Sequence, residues 1–247
     1  MAATETGHAK NVANFEDLIS FCTGYGASYN PNKTSIKIPA LSSLHSEAVN
    51  KLAAVNSAQI PWSNAVSARE ILFEPLSKLI TRVLNSLDAS DVPKQVVDNA
   101  KTIARKIQGK RATPKSTIVP PDPAAPAEEN SNNISASQMS FDNRIDNMDK
   151  LIQLLSAQSG YAPNETELTT ASLTTLLTNM RTANTAAINA FTPLSNSRIE
   201  RNNLLYQTET GLVDIAGDVK KYVKSVFGAT SPQYKQVSGL KFTKPRE

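Results

Sequence analysis

An all-α fold is predicted by three observations: glycine is scarce, apolar residues recur at spacings of three and four, and the same pattern occurs twice along the chain. Nine glycines in 247 residues is about half the usual ~7%, so tight hairpins and glycine-rich phosphate loops are disfavoured. Apolar residues make up 40% of the chain at a mean hydropathy of -0.31, too hydrophobic for a wholly disordered polymer. No apolar run approaches the roughly 18 residues that span a bilayer, and the first fourteen residues lack the apolar segment of a secretory signal. A cytoplasmic location is therefore expected. The single cysteine, Cys22, cannot form an internal disulfide.

Residues 1–13 read as a polar arm. Phe15, Leu18, Ile19 and Cys22 then fall on one helical face, with Asn14 placed to cap the helix. Gly24-Tyr25-Gly26 lacks the lysine and third glycine of a phosphate loop and reads as a helix stop and turn. After a Tyr29-x-Pro31-Asn32 loop comes a long apolar series: Leu41, Leu44, Ala48, Leu52, Val55, Trp62, Val66, Phe73, Leu76, Ile80, Val83 and Leu87. Uninterrupted, it would make a rod of about 70 Å at 1.5 Å per residue. Pro61 and Pro75 test that, since an internal proline removes an amide and clashes with the preceding turn; a kinked rod is expected because the apolar phase resumes after each proline. A break at Pro61 that folds the rod into a hairpin is the alternative.

Residues 112–137, with Pro114, Pro120, Pro121, Pro123 and Pro126 and no aromatic residue, read as a linker. Beyond it the pattern restarts. Phe141, Ile145, Met148, Ile152 and Leu155 share a face, and Ser140 stands at the cap position. At an offset of 132, Tyr29, Pro31, Asn32 and Thr34 fall on Tyr161, Pro163, Asn164 and Thr166, and Pro61, Ser63, Asn64 and Arg69 fall on Pro193, Ser195, Asn196 and Arg201. We read an internal duplication, with repeats at 14–111 and 138–238 and a basic tail at 239–247. Each repeat is a short helix plus a long proline-kinked amphipathic helix, together forming an elongated helical bundle. In the second long series, Leu173, Leu177, Met180, Ala187, Phe191 and Leu194 form the apolar face, continuing through Leu205, Leu212, Val219 and Val226.

The inventory offers little for catalysis. His8 and His45 have no cysteine nearby, so no Cys/His zinc site is assembled, and a triad would have to rely on His45. Asp142 with Asp146, and Asp214 with Asp218, lie one turn apart, a spacing found equally in cation sites and in solvated helix faces. No enzyme activity, cofactor, metal site or small-molecule substrate is expected.

Charge says more. Residues 94–116 carry +6 and residues 218–247 carry +5, which leaves -7 on the rest of a chain whose total is +4. Lys101, Arg105, Lys106, Lys110, Arg111, Lys220, Lys221 and Lys224 are the candidate charged association surface. Such segments suit phosphate neutralisation, a head-to-tail contact between copies, or simply the dipole at a helix C-terminus. The leading expectation is a self-assembling or scaffolding structural protein whose partner is itself. A nucleic-acid-associated protein is the first alternative, and a helical pore-forming or membrane-inserting protein the second.

The strings Phe15-Glu-Asp-Leu-Ile-Ser-Phe-Cys-Thr-Gly-Tyr-Gly26, Lys106-Ile-Gln-Gly-Lys-Arg-Ala-Thr-Pro-Lys115 and Lys224-Ser-Val-Phe-Gly-Ala-Thr-Ser-Pro-Gln-Tyr-Lys-Gln-Val237 resemble a family of uncharacterised bacterial proteins that share them over most of their length. The resemblance implies a bacterial source and brings no activity, cofactor or functional residue with it. Read physically, Phe227-Gly228-x-x-Ser231-Pro232 ends one helix and starts another short one.

Overall fold

A computed structural model describes residues 7–110 and 139–245. The 112–137 linker and Arg111 lie outside the described residues. Among those described there are eight α-helices and no strand: α1 His8–Gly24, α2 Ile38–Phe73, α3 Leu76–Asp88, α4 Lys94–Gln108, α5 Phe141–Ser156, α6 Thr170–Tyr206, α7 Leu212–Phe227 and α8 Pro232–Ser238. The expected all-α bundle is what the chain forms.

The two halves share their local geometry. Short 3-10 turns at Thr34–Ile36 and Thr166–Leu168 precede α2 and α6, at the 132-residue offset read from sequence. In each half the loop tyrosine is buried and donates its hydroxyl to the carbonyl of that turn's last residue, Tyr29 to Ile36 at 2.6 Å and Tyr161 to Leu168 at 2.8 Å. This bond anchors the chain before the long helix and gives the buried phenol a carbonyl acceptor. Pro61 is the 24th residue of α2, counting from Ile38, and Pro193 the 24th of α6, counting from Thr170.

Both long helices run through their internal proline without a break, so the hairpin alternative does not occur. They are nevertheless shorter than the apolar series suggested. α2 stops at Phe73, and Pro75, at φ -74°, opens α3, where its missing amide costs nothing. The second series is interrupted between Tyr206 and Leu212. Leu76, Ile80, Val83 and Leu87 belong to the buried face of α3, and Leu212, Ile215, Val219 and Val223 to that of α7.

Two further expectations are corrected. α1 begins at His8, inside the stretch read as an arm, with Val12 buried; Asn11 and Asn14 tie this part of the helix to the C-terminal tail. Asn14 is consequently mid-helix and 5% exposed rather than a cap. Ser140, by contrast, does cap α5, accepting a hydrogen bond from the Asn143 amide at 3.2 Å. Gly228, at φ 90°, stops α7, and Ser231 caps α8 with Pro232 in its first turn.

The chain folds into two compact units. Unit 1 contains residues 1–63 and 189–247, and unit 2 contains residues 64–188. Neither is a sequence repeat. Unit 1 joins the start of the first half (α1, the Tyr29 loop, α2 up to Ser63) to the end of the second (α6 from Asn189, α7, α8). Its core is Phe15, Leu18, Leu41 and Ala48 with Leu205, Leu212, Val219, Val223 and Val237. Unit 2 joins the end of the first half to the start of the second, and its core is Phe73, Leu76, Ile80, Leu87, Ala100 and Ile107 with Met148, Leu151, Leu155, Leu173 and Met180.

Candidate functional site

Most of the charge singled out in sequence is engaged within the chain. Lys101 pairs with Asp88 at 3.2 Å, and Arg105 turns back along α4 to the Lys101 carbonyl and the Thr102 hydroxyl. Lys106 and Lys110 are exposed. In unit 1, Lys221 is exposed and meets Asp218 at 3.1 Å, while Lys224 lies 5.7 Å from the Tyr234 ring centroid. Lys220 is only partly exposed: its ammonium donates to the Leu240 carbonyl and sits 5.0 Å from the Phe242 ring centroid. Burial lowers its pKa.

The carboxylates are likewise committed. Asp218 is held below the usual range chiefly by its hydrogen bond from Lys33, 2.6 Å away, and Asp214 chiefly by Lys244 at 2.8 Å. Asp146 takes Lys150, and Asp142 accepts from the buried Asn184 amide at 2.8 Å. No group of three metal-ligating side chains occurs among the described residues. His45 lies 3.9 Å from Glu16. Cys22 is buried, and burial pushes its thiol up to about 12, so almost no thiolate forms near neutral pH.

Sequence reasoning missed a polar cluster at the start of α1 because those residues were read as an arm. His8 Nδ1 and Tyr206 Oη are 2.7 Å apart, with ring centroids at 5.6 Å. Burial first, and the Arg201 charge second, lower the His8 pKa. One turn on, Asn11 is 1% exposed and uses both ends of its amide on one residue of the C-terminal tail. Its Nδ2 donates to the Thr243 carbonyl at 2.7 Å and to Tyr206 Oη at 3.3 Å, and its Oδ1 accepts from the Thr243 amide at 3.0 Å. Asn14 Nδ2 donates to the Lys241 carbonyl at 2.7 Å. The described part of the basic tail is therefore held against α1. Leu240 and Phe242 pack against the unit 1 core, and Lys244 pairs with Asp214. Two asparagines three residues apart on one helix face, followed by Leu-x-Phe at the far end of the chain, were the available signal.

Unit 2 builds the corresponding junction from other chemistry. Phe73, the last residue of α2, meets Phe141, the first of α5, edge to face at 4.9 Å. Arg69 lies over the Phe141 ring at 3.8 Å and donates to Asn184 at 2.9 Å, while Arg144 donates to the Phe73 carbonyl at 3.2 Å.

Each unit also holds a cleft beside its tyrosine loop. That in unit 2, of about 550 Å³, is lined by Arg82, Asn85, Ser90, Asn164 and Glu165. Gly160 at its edge has no room for a side chain, since a Cβ would lie 2.6 Å from the Asp91 carbonyl oxygen. The unit 1 cleft, of about 430 Å³, is lined by Lys33, Ser35, Leu44, Thr210 and Ile215.

Large apolar side chains remain uncovered on the long helices of unit 1. Val49 is 44% and Ile60 63% exposed on α2, and Phe191 is 46% and Ile199 55% exposed on α6. Phe191 was expected on the core-facing side. Its ring instead leans on Trp62, with centroids 6.1 Å apart, and keeps one side open. Lys51–Glu200 at 2.8 Å and Arg198–Gln59 at 3.0 Å tie the same two helix segments together. No described helix is long and apolar enough to cross a membrane. No family model, curated protein or solved structure matches the chain.

Proposed function

We propose that the chain is a non-catalytic, self-associating structural protein whose partner is a second copy of itself. The observation that carries this reading is the set of uncovered side chains on the long helices of unit 1: Val49, Ile60, Phe191 and Ile199. Val49 and Ile60 are eleven residues apart, three helical turns, and so lie within about 20° of one another on α2. Two neighbouring helix segments that each keep large apolar groups in water gain by covering them, at about 25 cal/mol per Å² removed from solvent. Complementary charge between copies plays the smaller part, because Lys33, Lys101, Lys221 and Lys244 find acidic partners within their own chain.

Sedimentation across a hundredfold range of concentration tests the reading. Mass should rise with concentration, and Ile60→Asp with Ile199→Asp should abolish the rise while leaving the helical circular dichroism intact. Association through apolar surface should persist in high salt. Binding to a polyanion that collapses with salt, in a chain that stays monomeric at high micromolar concentration, would replace this reading with the nucleic-acid one.

A further inference from the structure

The way the tail is held is that of a peptide in a groove, not of a loop folded on itself. The hydrogen bonds from α1 to the tail go to tail backbone: Asn11 takes both the amide and the carbonyl of Thr243, and Asn14 takes the Lys241 carbonyl. From the other side, Lys220 of α7 takes the Leu240 carbonyl. Alternate side chains, Leu240 and Phe242, are partly buried against the unit 1 core, whereas Lys241 is exposed. An in-out-in order of this kind suits an extended segment. Main-chain hydrogen bonds with pockets for alternate side chains are the general means by which proteins bind extended peptides. Asp214 supplies a charge for the basic residue two positions after the phenylalanine, through its 2.8 Å contact with Lys244.

We propose that the face formed by α1 and α7 is a docking groove for an extended Leu-x-Phe-x-Lys segment, and that during assembly the tail of a second copy occupies it. Residues 239–245 carry no helix, so their release unwinds none of α1 to α8. The contacts it makes in its own chain are the contacts it makes in a neighbour, which is the low-cost exchange that links identical protomers. This rests on the self-association reading and names the device that extends it. In isolation the tail competes from its own chain at a high effective concentration, and exchange is favoured only where copies are already gathered.

The test separates tail and groove into two full-length variants. Both carry Ile60→Asp and Ile199→Asp, so that the apolar helix surface takes no part. The first adds Asn11→Ala and Asn14→Ala, leaving a tail without its own groove; the second adds Phe242→Ser, leaving a groove without its own tail. Each alone should sediment as a monomer, and an equimolar mixture should give a one-to-one dimer. If the first variant loses its helical signal, a fluorescent peptide of residues 238–247 takes its place. It should bind the second variant saturably, and about tenfold or more weakly once Asn11→Ala is also present. A mixture that stays monomeric, or a peptide that does not bind or ignores Asn11→Ala, overturns the groove. Dimers in the mixture from a chain whose wild type shows no concentration-dependent mass would keep the groove and remove the apolar-surface reading.

Discussion

Units 1 and 2 solve one packing problem with two chemistries. In each, the last residue of a long helix meets the first residue of a helix from the opposite half of the sequence: Tyr206 with His8 in unit 1, Phe73 with Phe141 in unit 2. The pairs correspond at an offset of 133, and an arginine attends each, Arg201 acting on His8 and Arg69 stacking on Phe141. Unit 2 uses the quadrupole of apolar rings against two guanidinium groups. Unit 1 uses hydrogen bonds among His8, Tyr206 and Asn11, and that polarity is what lets Asn11 reach a peptide backbone. A junction that only holds helices together can be apolar; one that also receives a tail must present donors and acceptors.

The largest expected effect is on the apolar side of the comparison. Phe73 is 2% exposed, so Phe73→Ala should cost about 3–5 kcal/mol in urea denaturation, as truncated core aromatics do. At the corresponding place Tyr206→Phe removes a hydroxyl and no ring, and should cost only about 1–2 kcal/mol through its lost hydrogen bonds. Equal losses at the two positions would break the distinction between packed and hydrogen-bonded junctions.

A smaller effect tests the likeness of the units rather than their difference. Tyr29→Phe and Tyr161→Phe each remove one buried hydrogen bond of the same geometry, and each should destabilise by about 1 kcal/mol. A gap of several-fold between them would show that the two loops are not equivalent anchors.

The smallest effect concerns pH and belongs to unit 1 alone. His8 has its pKa lowered from 6.5 in the folded chain, so between the two values the unfolded state binds more protons and stability rises with pH. The contribution is complete above about 6.5 and is lost as pH falls through the lower folded value. Comparing urea midpoints at about pH 7.5 and 5 should show this loss, and His8→Phe, which copies the ring of unit 2, should reduce it. A loss unchanged in His8→Phe would place the pH response elsewhere.

Much of the local structure was legible in sequence. The three-four spacing marked helical faces, Tyr-x-Pro-Asn marked the tyrosine anchors, Ser140 and Ser231 marked caps, and Gly228 marked a stop. The misreadings share one cause. Asn11, Asn14 and His8 are polar, and polarity by itself points to an arm and a cap, yet Asn11 and Asn14 are buried because a distant segment satisfies their amides. Lys220 was assigned to a surface for the same reason and is half covered by Leu240 and Phe242. Ile60 and Ile199 fall outside the apolar faces that the three-four spacing draws, and only the packing shows that nothing in the chain covers them.

Sequence alone determined that the chain is helical and where most helices lie, because periodicity, caps and turn residues act over a few neighbours. Only the tertiary structure decided which parts stand together. The start of one half packs with the end of the other, the long helices pass through Pro61 and Pro193 but end at Phe73 and Tyr206, and the tail lies on α1. These outcomes follow from burial and hydrogen bonds between residues up to 232 positions apart, which no local pattern encodes.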